Sequence, residues 1–132
     1  MPEYVVSRVE EVLGDLKGVK VVVLGASYRG AVKETAFSGV FATVDSLRKR
    51  GAKVLVHDPM FSNEELAGFG WDAYHLGEEV TAAIVQADHA EYKTISPKDL
   101  PGIKLLFDGR RVTDPQLWKG TPRMVIGDQA SR

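Results

Sequence analysis

Three short strings in this 132-residue chain carry side chains able to grip an anion or a ring. The loop 25–34, GASYRGAVKE, holds Tyr28, Arg29 and Lys33 between small residues and two glycines. Arginine grips a phosphate or a base carbonyl through paired N–H donors, lysine adds a point charge, and tyrosine stacks on a ring. Backbone N–H groups ahead of a helix add a natural place for negative charge. A second string, Asp108-Gly109-Arg110-Arg111, sets a glycine between charges, a tight turn that aims side chains outward. The third, His57-Asp58-Pro59, puts an acid where dinucleotide folds often hold a ribose hydroxyl. Each also has a plainer reading: a βα turn with solvated charges, a type I turn, a strand stop. Gly25 and Gly30 are spaced wrongly for G-x-G-x-x-G, and no G-K-[ST] follows, so the first loop matches neither glycine-rich phosphate motif.

Other chemistry is excluded by what is missing. Without cysteine there is no disulfide, thiolate zinc site or thiol nucleophile. His57, His75 and His89 are scattered with no metal-ligand spacing. No serine, histidine and acid group together, so the residues describe a binding domain without catalytic groups. His89 reads as a loop histidine, and Trp71 and Trp118 as packing residues. A net charge of −1 gives no electrostatic case for nucleic acid or an acidic membrane. No apolar run approaches the roughly 20 residues of a membrane span. Met1-Pro2-Glu3 lacks the basic start of a secretory signal, so a reducing cytoplasm is the expected location.

The elements that must position these strings follow from periodicity. Pro2 suits a first helical position, and Val5, Val9, Val12, Leu13 and Leu16 share one face, with Gly14 and Gly18 ending the helix. That face either docks on its own domain or connects to an upstream one, so residues 1–18 are set apart as a connector and 19–132 as the domain. KVVVL at 20–24 is a buried strand. Phe37, Val40, Phe41, Val44 and Leu47 recur at helical spacing, with Arg48, Lys49 and Arg50 at the dipole's negative end. KVLVH at 53–57 is the next strand, completing a βαβ unit with a parallel pair. SNEEL at 62–66 predicts a short capped helix; AAIVQ at 82–86, IKLLF at 103–107 and RMVI at 123–126 predict three further strands. Short helical turns at Pro97, Pro101 and Pro115 lie between them. The expected fold is α/β: a three-layer, doubly wound, Rossmann-like parallel sheet of about five strands with an N-terminal helix. Such sheets bind ligands beyond the carboxyl ends of their strands, where all three strings arrive.

The string KVVVLGASYRGAVKETAFSGVFATVDSLRKRGAKVLVHDP resembles the start of the C-terminal, UDP-binding domain of the UDP-glucose/GDP-mannose dehydrogenase family. There a strand ends in Gly, a small residue, an aromatic and a basic residue; Ser precedes a helix; R-G-A and a strand ending in D-P follow. ADHAEYKTISPKDLPGIKLLFDGRRVTDP resembles the family's second signature, an acid–His pair, an apolar strand, D-G-R and a later D-P. The resemblance covers about residues 17–127. It implies the nucleotide-sugar-binding domain of an NAD-dependent 6-dehydrogenase that oxidises a sugar C6 alcohol to a uronate, with UDP favoured over GDP. By position it matches Tyr28 and Arg29 to the pair lining base and ribose, and Arg110 to the D-G-R arginine reaching the ligand. It also implies that NAD is bound mainly by an N-terminal domain, that the catalytic residues lie in segments outside this chain, that no metal takes part, and that the full-length enzyme forms a homo-oligomer. The family's first loop often reads T-D-D-x-R-E-S-P; here V-K-E-T-A-F-S-G puts Ala36, Phe37 and Gly39 at the Arg, Glu and Pro positions. Lys33 is the candidate to supply the missing positive charge. The rival readings are a stand-alone nucleotide- or coenzyme-binding module and an oligomerisation domain.

Overall fold

β-Branched runs are buried on both faces only in a sheet covered twice, and the central strands obey that rule. The computed structural model describes residues 2–26 and 40–125. It contains six strands: β1 (Lys20–Leu24), β2 (Lys53–His57), β3 (Asp72–Ala73), β4 (Ala82–Val85), β5 (Leu105–Asp108) and β6 (Arg123–Val125). All pair in parallel, in the order β3-β2-β1-β4-β5-β6. The expected doubly wound parallel α/β fold is therefore observed. The additional strand is β3, whose two residues are too short to show any alternation and are held by the free edge of β2.

Helices α1 (Pro2–Leu13), α2 (Val40–Lys49) and α3 (Asn63–Gly68) cover one face. Val21 and Val23 of β1, Val54 and Val56 of β2, Ile84 of β4 and Phe107 of β5 point into this core. The apolar side of α1 is among its walls: Val5, Val6 and Val9, with Leu16 just beyond the helix, are buried beside Val40, Val44 and Leu47. Arg50, just past α2, reinforces that contact by reaching Ser46 Oγ at 2.7 Å and Glu10 of α1 at 3.3 Å. Of the helical pattern that starts at Phe37, residues 37–39 lie outside the described residues. Ser62 caps α3 through a reciprocal box with Glu65, as its sequence predicts.

The opposite face is covered differently. Val22, Leu24, Ala83, Val85 and Leu106 meet Tyr74, Tyr92, Ile95, Leu100 and Trp118. The proline-containing turns here are single 3-10 turns at Pro97–Asp99 and Pro115–Trp118, with another at Ala90–Lys93. Aromatic side chains thus supply volume that longer helices would otherwise provide. The polar ends of two of them are satisfied: Trp118 Nε1 donates to Ile95 O at 3.0 Å, and the Tyr92 hydroxyl donates to His57 O at 3.1 Å.

Candidate functional site at the strand carboxyl ends

Parallel register brings four strands to a common level. Leu24 is the register partner of both His57 and Val85, and Val85 pairs with Asp108. The segments beginning at Gly25, Asp58, Gln86 and Gly109 therefore leave the sheet side by side. β1 continues to β2 on one side, whereas β4 continues to β5 on the other, which makes the β1–β4 boundary the topological switch point.

Backbones meet here more closely than side chains would permit. Gly25 has φ +111°, and a Cβ on it would lie 2.5 Å from Ala87 Cβ and 2.8 Å from Ala87 N. A Cβ on Gly109 would lie 2.7 Å from Val85 O, to which Gly109 N donates at 3.1 Å. These contacts set the spacing between the β1, β4 and β5 exits.

Two buried carboxylates then fix the exits in place. Asp58 Oδ2 accepts from Ala26 N–H at 2.7 Å and lies 2.9 Å from His89 Nε2, while Oδ1 accepts from Met60 N–H at 2.7 Å. The carboxylate only accepts, so Nε2 of His89 carries the proton in that contact. Burial pushes the Asp58 pKa up; the hydrogen bonds from His89 and from the Met60 and Ala26 amides outweigh it and hold the group below the usual carboxylate value. The Asp58 and His89 side chains are 0% and 2% exposed, so neither reaches a ligand and the pair is a clamp, not an acid–base couple. Asp108 plays the matching part on β5. Its Oδ1 accepts from Arg110 N–H at 2.9 Å, and its Oδ2 accepts from both the amide and the hydroxyl of Thr113. Arg123 of β6 donates to Thr113 Oγ1 at 2.9 Å and lies 3.7 Å from Asp108. This closed network shapes a turn in which Arg111 takes the left-handed φ of +56°.

Of the sequence-predicted contact residues, Arg110 is exposed on that turn, its guanidinium 3.8 Å from the Asp88 carboxylate. Tyr28, Arg29 and Lys33 lie outside the described residues; the chain is described up to Ala26, the residue that Asp58 holds. His89 proves to be buried and paired, a role its place in a loop did not reveal. Asp58 does more than stop a strand. Thr113 and Arg123 carried no sequence signal, because their partners lie across two strand exits. Trp71 and Trp118 are packing residues, 4% and 2% exposed. Among the described residues no group of three or more His, Cys, Asp or Glu could hold a metal, and no helix is long and apolar enough to cross a membrane.

A sequence model described as the UDP binding domain of the UDP-glucose/GDP-mannose dehydrogenase family matches residues 22–115. The chain belongs to this family. Within it, a UDP-N-acetyl-D-mannosamine dehydrogenase of Methanococcus maripaludis is 31% identical over 130 residues, covering 90% of this chain and 29% of that protein. One from Methanocaldococcus jannaschii is 27% identical, covering 97% of this chain and 31% of that protein. The chain thus spans about three tenths of the length of the curated relatives it matches. Among solved structures, a UDP-glucose dehydrogenase from Pyrobaculum islandicum superposes with a TM-score of 0.75 at 26% identity, covering 93% of this chain and 28% of that one. A UDP-N-acetyl-mannosamine dehydrogenase from Staphylococcus aureus shares the fold with a TM-score of 0.77 at 22% identity, covering 98% of this chain and 31% of that one. The family match takes in β2, β4 and β5 whole and most of β1, and with them the Asp58 clamp and the Asp108–Thr113 contacts.

His57, next to Asp58 at the end of β2, makes folding pH-dependent. Its Nδ1 lies 2.9 Å from the Tyr92 hydroxyl. Burial lowers its pKa from 6.5, against the opposing pull of the Asp58 charge. The unfolded chain therefore binds the proton first as pH falls, and folding stability drops from about pH 6.5 down to the lowered folded value. Urea melts of the wild type between pH 8 and pH 5 should show this slope, and His57→Leu should flatten it.

Proposed function

We propose that this chain is the nucleotide-holding domain of an NAD-dependent UDP-sugar 6-dehydrogenase, which oxidises the sugar's C6 alcohol to a carboxylate. The observation that carries the reading is the family match laid over a switch point whose exits are rigidly clamped. Arg110 supplies a guanidinium for a phosphate or base carbonyl, Tyr28 and Arg29 line base and ribose, and Lys33 adds positive charge beside them. Preorganised exits lower the ordering cost of binding, which matters for a site that completes itself with segments outside this chain. Nicotinamide chemistry belongs to those segments. No G-x-G-x-x-G fingerprint follows β1, which supports assigning NAD to the family's N-terminal domain, and the catalytic groups to segments outside this chain. The full-length enzyme would act as a cytoplasmic homo-oligomer supplying uronates for polysaccharide synthesis.

An amide NMR titration with UDP, GDP and NAD in turn tests the reading. UDP should shift residues 28–33 and Arg110 selectively. Equal shifts with all three ligands would reduce the site to a generic phosphate cradle, and shifts confined to another surface would refute the placement.

A further inference from the structure

Asp88 is mounted between two pinned residues. On one side Ala87 is fully buried against Gly25, and its N–H points to Leu24 O at 3.4 Å. On the other, His89 is locked to Asp58 at 2.9 Å. The Asp88 backbone is therefore held at the exit of β4 while its side chain stays 48% exposed. Arg110 stands opposite on an equally fixed backbone, its N–H on Asp108 and the preceding Gly109 N–H on Val85 O. The two charges face each other across the β4–β5 boundary at 3.8 Å, well beyond the roughly 2.7–2.9 Å of a tight charge-assisted hydrogen bond. Both backbones are pinned and this contact is long, which leaves room for an anion to compete for it.

We infer that Asp88 is a resident counter-ion of Arg110, which the phosphate oxygens of a nucleoside diphosphate displace on binding. The inference rests on Arg110 being a nucleotide contact, as proposed above. Asp88 competes with the incoming anion for the guanidinium, so it sets an upper limit on affinity. A purely structural Asp88 predicts the opposite sign: its loss would loosen Arg110 and weaken binding.

The test measures UDP binding by calorimetry to the wild type, Asp88→Asn, Arg110→Gln and the double variant. Thermal melts accompany each, and the half-exposed position of Asp88 keeps Asp88→Asn folded. A half-exposed ion pair contributes little, so Asp88→Asn should bind UDP only about two- to fivefold tighter. That gain should vanish in the Arg110→Gln background, because the competition runs through the guanidinium. Unchanged or weaker binding by Asp88→Asn overturns the inference. So does a gain that persists without Arg110, which would mark simple repulsion of the ligand by Asp88. If the wild type binds UDP but Arg110→Gln binds equally well, the assignment of Arg110 fails and the counter-ion with it. If neither the wild type nor any variant binds UDP, this chain does not hold the nucleotide by itself, and the proposed competition at Arg110 fails.

Discussion

Asp58→Ala should destabilise the chain by roughly 3–5 kcal/mol, the usual cost of breaking a buried hydrogen-bonded pair from one side. Three donors lose their acceptor at once: the amides of Ala26 and Met60 and the Nε2–H of His89. Two of these belong to residues that are themselves 0% and 2% exposed, so water does not readily replace the carboxylate. For a domain of this size that loss lowers the melting temperature by roughly 10–20 °C. Asp58→Asn should fall between, since the amide keeps one acceptor oxygen but turns an N–H₂ toward a donor. The sign of the pH dependence follows from the depressed folded pKa. The advantage of wild type over Asp58→Asn is full above the unfolded value of 3.8 and fades as pH falls through the lowered folded value. Paired chemical denaturation curves from pH 7 to pH 3 would check it. An advantage independent of pH would mean that packing, not the carboxylate's charge, carries the effect.

This clamp marks the boundary of what the sequence discloses. β1, β2, β4 and β5 are readable because burial on both faces demands unbroken apolar runs; their order beyond the β1–β2 pair is not, because the connections after β2 carry only weak helical patterns. Boundaries shift where charge intervenes: Ile103 and Lys104 open the predicted strand but β5 starts at Leu105, and Asp108 joins the end because its side chain turns inward to Thr113. β3 is invisible because two residues have no period. The weak helices of the second half become single 3-10 turns, because Tyr92, Ile95 and Trp118 fill that face from short segments. Charged contact residues such as Arg110 announce themselves by type. The residues that hold them do not: Asp58 and His89 are 31 positions apart, and only the shared register of β1, β2 and β4 brings them to 2.9 Å. An acid just after a strand, together with an acid–His pair just after another, was the available signal, and it becomes a pair only once strand order is known.

Gly25→Ala should be nearly as damaging as the loss of Asp58, by a different route. The new methyl meets Ala87 Cβ at 2.5 Å and Ala87 N at 2.8 Å, and the residue keeps a φ of +111° that a side chain resists. Overpacking costs about 1–3 kcal/mol and the left-handed backbone about 1–2 more, together roughly 2–5 kcal/mol. The two parts separate experimentally. Ala87→Gly removes the Cβ contact but leaves the backbone contact and the φ, so the double variant should recover roughly 1–2 kcal/mol relative to the sum of the single changes. Strict additivity would place the whole penalty in the backbone. A second readout follows the consequence at the site. Pushing β1 away from β4 pulls Ala26 N–H off the Asp58 carboxylate, so the Asp58 pKa in Gly25→Ala should rise toward its ordinary value and return part of the way in the double variant. Carbon-detected NMR of the carboxyl carbon would follow both shifts. A pKa unchanged in a destabilised Gly25→Ala would show that the β1 exit and the clamp are independent, contrary to the geometry that joins them through one hydrogen bond.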